Sequence, residues 1–381
     1  MTNYLNSKTF SKLSVLTERP TPVLTEPTNP FTFDQNIDFH LNDGIGSLPM
    51  PSDITTGSTW SAGVLARNGK IYAAPISGGS VLEIDPSGSV REISITGDIS
   101  GSSFSGGVVA PNGKIYAPPS AGDNVLEIDP SGSVSTRLLP IPNYETGSTW
   151  AGGVLAPDGK IHCIPFGGSN ILIIEPSDSP LITTTRMPTQ VSTTYYGSVL
   201  GPDGKIYGIP FSGAGDAGDF EVVVLDPTNQ GFTTIPIPAS IPVGNWAGGV
   251  LGPDSKIYCM PFAGSYVLVI DISTGDITVI AVDSGRSFGG WFGGVLGPNG
   301  KIYSAPNNGG KVLEIDPSGS GSTREIPIPS SLAQNGHSGC VLAPNRTIYA
   351  IPSSSQNILT IRYTFPHLMN DWILQPQFNK F

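Results

Sequence analysis

The chain has 381 residues with 48 glycines and 36 prolines, more than a fifth of the total, which argues against an all-α fold because helices tolerate neither residue. Charged residues make up 13% and hydrophobic residues 38%, a balance that folds rather than one that stays disordered. The net charge of −11 repels phosphate backbones and excludes electrostatic binding of nucleic acid.

Residues 1–43 carry Pro20, Pro22, Pro27 and Pro30 and read as an extended arm, a candidate docking segment. Their start, MTNYLNSKTFSKL, lacks the apolar run of a secretory signal, and no later apolar stretch approaches the roughly 18 residues that cross a bilayer. The expectation is a soluble protein without membrane insertion or Sec targeting, either cytoplasmic or, if phage-encoded, in the virion.

From about residue 57 one unit recurs, GGVLAPNGKIYAIP followed by a short loop and VLEIDP. Its core isoleucine stands at Ile71, Ile115, Ile161, Ile206, Ile257, Ile302 and Ile348, at spacings of 44, 46, 45, 51, 45 and 46. Each unit parses into four strands, as in SAGVLA, KIYAAP, SVLEIDP and VREISI of the first copy. PNGK or PDGK makes the first hairpin turn and DPSGS the last. Seven four-stranded antiparallel units at this period predict an all-β fold, a seven-bladed β-propeller spanning residues 44–363. A proline at 75, 119, 165, 210, 261, 306 and 352 is expected to end every second strand. The seventh copy lacks its fourth strand, and GIGSLPMP at 44–51 resembles the outer strands LLPIP and REIPIP. An N-terminal strand is therefore expected to complete the last blade and close the ring.

One aromatic column runs through the repeats: Trp60, Phe104, Trp150, Tyr195, Trp246, Trp291 and His337. Placed at the entrance of the innermost strands, it is either a ligand-stacking ring or inter-blade packing. The paired glycines are expected where inner strands crowd the axis, not as phosphate loops. Cys163, Cys259 and Cys340 read as small core residues. The fourth copy carries a longer loop at 211–221, whose Asp216, Asp219 and Glu221 are weak candidates for a hard cation, against a solvated loop. Residues 285–289 fit GxSxG, but outside the strand-to-helix turn that a nucleophile elbow requires. No catalytic constellation and no cofactor motif stand out. Residues 364–381 form an aromatic tail with Trp372, Phe378 and Phe381, which either packs back on the ring or docks on a partner.

The GGVLxPNGKIYxIP and VLEIDP units resemble the seven-bladed repeats grouped with NHL, SMP-30 and virginiamycin B lyase-like proteins. That resemblance implies the architecture. Its enzymes place carboxylates, Asn or His at the channel mouth, where this chain has Gly, Ser, Ala, Val and aromatic residues, so the catalytic part does not carry over. The aromatic tail resembles those of propeller proteins of phages and large viruses. The leading expectation is a non-enzymatic virion or tail protein whose partners are other assembly proteins and a host-surface glycan or receptor. The alternatives are a lectin-like propeller and an enzyme of the lactonase or lyase type.

Overall fold

The computed structural model describes residues 44–362 apart from 53, 55–56, 188–192, 213–219, 243, 283–289, 309 and 333–334. Within them lie seven four-stranded antiparallel sheets, two further two-stranded pairs and no helix. Blade 1 is built from Thr59–Leu65, Ile71–Ser77, Ser80–Ile84 and Val90–Ser94, inner to outer, and blades 4 and 5 repeat this plan with continuous strands. Blade 7 takes His337–Leu342, Thr347–Pro352 and Asn357–Arg362 from the end of the chain and Ile45–Pro49 from its beginning. The borrowed strand pairs from Ile45↔Ile361 to Pro49↔Asn357, so the ring closes as the sequence predicts.

The turns follow their chemistry. In the first hairpin Gly69 takes φ +80° and donates to the Ala66 carbonyl at 3.0 Å. In the last, Asp85 Oδ1 accepts from both the amide and the hydroxyl of Ser87, at 2.9 and 2.6 Å. The conserved spacing of these two turns fixes register, because a slip by one residue would send every buried side chain to the wrong face.

The hydrophobic core lies between blades rather than inside one. Trp60, Ile71, Leu82 and Ile84 of blade 1 pack on Val341, Tyr349, Ile351 and Ile358 of blade 7, and six further clusters bridge the other neighbours. Small residues on the inner strands let the sheets approach: a Cβ on Gly63 of blade 1 would stand 2.8 Å from Ile351 Cδ1 of blade 7. Cys163, Cys259 and Cys340 are buried free thiols, and burial pushes all three up.

The repeated proline corrects one expectation. The second strand runs past Pro75 to Ser77, past Pro210 to Ser212 and past Pro261 to Ala263. Proline lacks only the donor, and its carbonyl still works: that of Pro261 accepts the amide of Trp291 in the next blade at 3.1 Å. Pro306 does the same for the amide of His337 at 3.2 Å, so these two prolines mark where a blade accepts a hydrogen bond from its neighbour.

A candidate binding mouth on the ring axis

The seven column aromatics pair with the seven prolines, Trp60↔Pro75 through His337↔Pro352. Immediately after each aromatic the inner strand bulges. In blade 1 three residues from Trp60 to Gly63 span two on the partner strand. The bulge needs close backbone approach: Gly248 sits at φ +75°, and a Cβ there would lie 2.8 Å from the Gly293 Cα of the adjacent blade. Inner strands thus converge on a collar of glycines, and Ser61, Ser105, Ala151, Tyr196 and Phe292, each following a column aromatic, are turned onto the axis. The axial space among Ser61, Ser105, Gly106, Gly152, Tyr196 and Phe292 is only ≈ 30 Å³, room for a water or two rather than a substrate.

The column aromatics themselves do not line this mouth. Trp60, Phe104, Trp150, Tyr195, Trp246, Trp291 and His337 are all 0–2% exposed and lie in the inter-blade cores. The indole N–H of Trp60, Trp150, Trp246 and Trp291 donates to the carbonyl twenty residues on, at 2.8–2.9 Å, tying the inner strand to the start of the third. His337 occupies the same place with its Nε2 3.3 Å from the Asn357 carbonyl, again twenty residues on, and burial lowers its pKa. None of the seven rings offers an open face for stacking on a ligand.

A different set of aromatics reaches the mouth. Phe166, Phe211 and Phe262 follow the prolines of blades 3, 4 and 5, while Tyr196 and Phe292 occupy the bulged axial position of blades 4 and 6. They form one connected cluster. Tyr196 stands 5.2 Å from Phe166, 5.4 Å from Phe211 and 4.6 Å from Phe292, and Phe262 stands 5.3 Å from Phe211 and 5.8 Å from Phe292. These are edge and tilted contacts that aromatic quadrupoles favour, and all five rings are only half-buried. Burial pushes the Tyr196 hydroxyl up in pKa; it lies 3.4 Å from Ser105 Oγ on the far side of the axis. The equivalent positions elsewhere are Ser61, Ser105, Ala151, Ala247 and Ser338 after the column residue and Ile76, Ser120, Asn307 and Ser353 after the proline, so the aromatics are confined to blades 3–6 and the other positions are small, polar or, at Ile76, aliphatic. Repeat-based reading missed the cluster because it looks for columns aromatic in every copy. The available signal was aromatics confined to adjacent copies.

The remaining sequence candidates divide simply. Asp216, Asp219, the GxSxG residues, Pro20, Pro22, Pro27, Pro30, Trp372, Phe378 and Phe381 lie outside the described residues. Glu221 opens the third strand of blade 4, its amide donating to Thr193 Oγ1. Among the described residues no three His, Cys, Asp or Glu side chains stand together as a metal site, and no helix is long and apolar enough to cross a membrane.

No family model and no curated protein matches this chain. Solved structures do. Virginiamycin B lyase from Staphylococcus aureus, in a catalytically inactive form with quinupristin, superposes with a TM-score of 0.67 at 16% identity, over 84% of this chain and 98% of its own. The likeness is one of fold. The extracellular domain of a one-component system from B. thetaiotaomicron gives 0.63 at 15% identity, over 84% of this chain and 40% of its own. YCF48 bound to D1 peptide gives 0.62 at 11% identity, over 86% and 97%. A lyase, a sensor domain and a peptide-bound protein thus share the architecture while differing in what they do.

Proposed function

We propose that this propeller is a non-enzymatic interaction module that holds a protein partner at its axial mouth and serves in a larger particle, a phage virion or tail. The half-exposed aromatic cluster of Phe166, Tyr196, Phe211, Phe262 and Phe292 carries the reading. An inter-blade core explains aromatics repeated in all seven blades, whereas these five, confined to four adjacent blades and only partly buried, stand where the remaining positions carry Ser, Ala, Asn or Ile. A propeller neighbour bound to a peptide supports a protein partner.

The particle reading has its own support. The Arg362 amide donates to the Gly44 carbonyl at 2.7 Å, so the first and last described residues of the ring stand side by side. They lie at the end of blade 7 opposite the mouth, which would let both flanks dock on one assembly while the mouth faces outward. Quantitative mass spectrometry of particles purified from the source tests it. Stoichiometric incorporation is expected for the full chain and its loss for chains lacking 1–43 or 364–381; absence of the full chain from particles overturns it.

A further inference from the structure

Resting on the interaction reading above, we infer that the mouth takes an extended peptide segment of a partner that presents apolar side chains to blades 3–6 and a lysine or arginine toward blades 1 and 2. Three observations combine. The aromatic cluster gives an apolar platform on one side of the axis. The opposite side presents Ser120, Asn307 and Ser353, hydroxyls and an amide that can pair with the backbone N–H and C=O groups of a strand laid across the mouth. A ligand with one apolar and one polar edge is what an extended chain offers, because its side chains and its peptide groups point in different directions.

Charge supplies the third. At this end of the ring Asp98, in the connection between blades 1 and 2, Asp123, beside the third strand of blade 2, and Glu145, in the connection between blades 2 and 3, are exposed. Among the described residues none of them is in an ion pair. Asp98 accepts the Ser100 amide at 2.9 Å and Asp123 lies against Asn124. Most cations are elsewhere, an exception being Arg186, exposed at the mouth end of the outer strand of blade 3 opposite Asn170. Lys70, Lys114, Lys160, Lys205, Lys256 and Lys301 all precede second strands and so stand at the opposite end, while Lys311 at the mouth end is held by Glu325 at 2.6 Å. A cationic side chain is therefore drawn to one side of the rim, which sets the direction in which the peptide lies.

The immobilised full chain is panned against a random dodecapeptide library, and enriched peptides are labelled and titrated by anisotropy. The expected set combines Leu, Ile, Phe or Met with Lys or Arg. Phe211→Ser with Phe262→Ser lowers affinity by at least about tenfold, a change the fold tolerates because Ser120 and Ser353 already occupy that position in other blades. Asp123→Asn with Glu145→Gln lowers it about threefold and flattens its salt dependence. No enrichment, enrichment of acidic or purely polar peptides, or affinity unchanged in the Phe variant overturns the inference. A glycan array read in parallel overturns it too if a glycan binds through the same phenylalanines and no peptide does. Particle incorporation of the full chain alongside any of these failures leaves the interaction role standing and removes only this partner chemistry.

Discussion

Tyr72 donates its phenolic hydrogen to Glu83 across 2.9 Å, on facing positions of the second and third strands of blade 1. Three further cationic or amide groups complete the unit. Lys70 and Arg91 reach the same carboxylate at 2.9 and 2.8 Å, and Asn68 donates to the Tyr72 oxygen at 2.9 Å. Blades 2 and 6 repeat the residues as Asn112, Glu127 and Arg137 and as Asn299, Glu314 and Arg324. Blades 3, 4 and 5 replace all three together. The turn residue becomes Asp158, Asp203 or Asp254, which takes the column hydrogen bond itself at 2.9–3.0 Å. The glutamate then becomes Ile173, Val224 or Val269, and the arginine facing it Thr183, Thr233 or Thr278. A buried hydroxyl needs one acceptor for its hydrogen, and two carboxylates at that spot would repel, so blades 1–6 keep one each, while in blade 7, with Asn345 and Thr360, the Tyr349 hydroxyl donates to the Pro86 carbonyl at 3.3 Å.

The first consequence is acid sensitivity. Burial alone would raise the Glu83 pKa, but hydrogen bonds from Arg91, Lys70 and Tyr72 overcome it and hold the carboxyl down to about 2; Glu314 is lowered in the same way. A carboxyl whose folded pKa lies below its unfolded value near 4.5 stabilises the fold above that value and ceases to as pH falls toward 2. Glu83→Gln should lose roughly 2–3 kcal/mol at pH 7, less than the 3–5 typical of a fully buried pair because Arg91 is more than half exposed. Its stability should also fall less steeply than wild type between pH 4.5 and 2. Urea midpoints across that range check both; parallel profiles would refute the assignment.

The second consequence is that the unit moves as a block. Val224→Glu alone places a buried carboxylate beside the Tyr207 and Asp203 pair and should cost roughly 3–5 kcal/mol. Adding Asp203→Asn and Thr233→Arg rebuilds the blade 1 arrangement around Lys205 and should recover most of that loss. Denaturation of the single, double and triple variants measures the coupling, and additive losses would show that the three positions are independent.

These relationships mark what a linear sequence exposes. The seven blades, their turns and the closing strand at Ile45–Pro49 were legible because each repeats a local pattern whose spacing is set by strand length and turn chemistry. The Asn, Glu and Arg exchange was also present in the repeats, but only pairing tells that Glu83 faces both Tyr72 and Arg91. The mouth was the least legible part. Tyr196 and Phe292 reach the axis only because a bulge turns them there, and Trp60 and its equivalents are drawn into the cores by a carbonyl twenty residues away.

His337 provides a third test. It stands in a tryptophan position, with Nδ1 buried and lacking a hydrogen-bond partner, and burial lowers its pKa below the ordinary 6.5. Protonation on unfolding therefore draws stability away as pH falls below 6.5. His337→Trp restores the indole donor used by four other blades and removes that titration. It should stabilise the protein by about 1 kcal/mol at pH 7.5 and by more at pH 5.5. Guanidinium midpoints at the two values decide it, an equal gain at both being the contrary result.

The closing strand gives the last test. Ile45 packs on the core between blades 6 and 7, and Leu48 on that between blades 7 and 1, so five residues lock two interfaces besides capping the edge of Asn357–Arg362. Removing residues 1–43 leaves this strand whole, whereas removing 1–51 uncovers Ile358 and Ile361 and their unpaired backbone. The longer truncation should lose on the order of 5 kcal/mol, the worth of two or three buried apolar side chains, and should associate through the bare edge. The shorter one should unfold like the full chain. A synthetic peptide of residues 44–52 added to the longer truncation should restore its melting temperature in a concentration-dependent way and dissolve the aggregates. Equal melting of the two truncations, or no response to the peptide, would mean that the ring is held by its inter-blade cores alone.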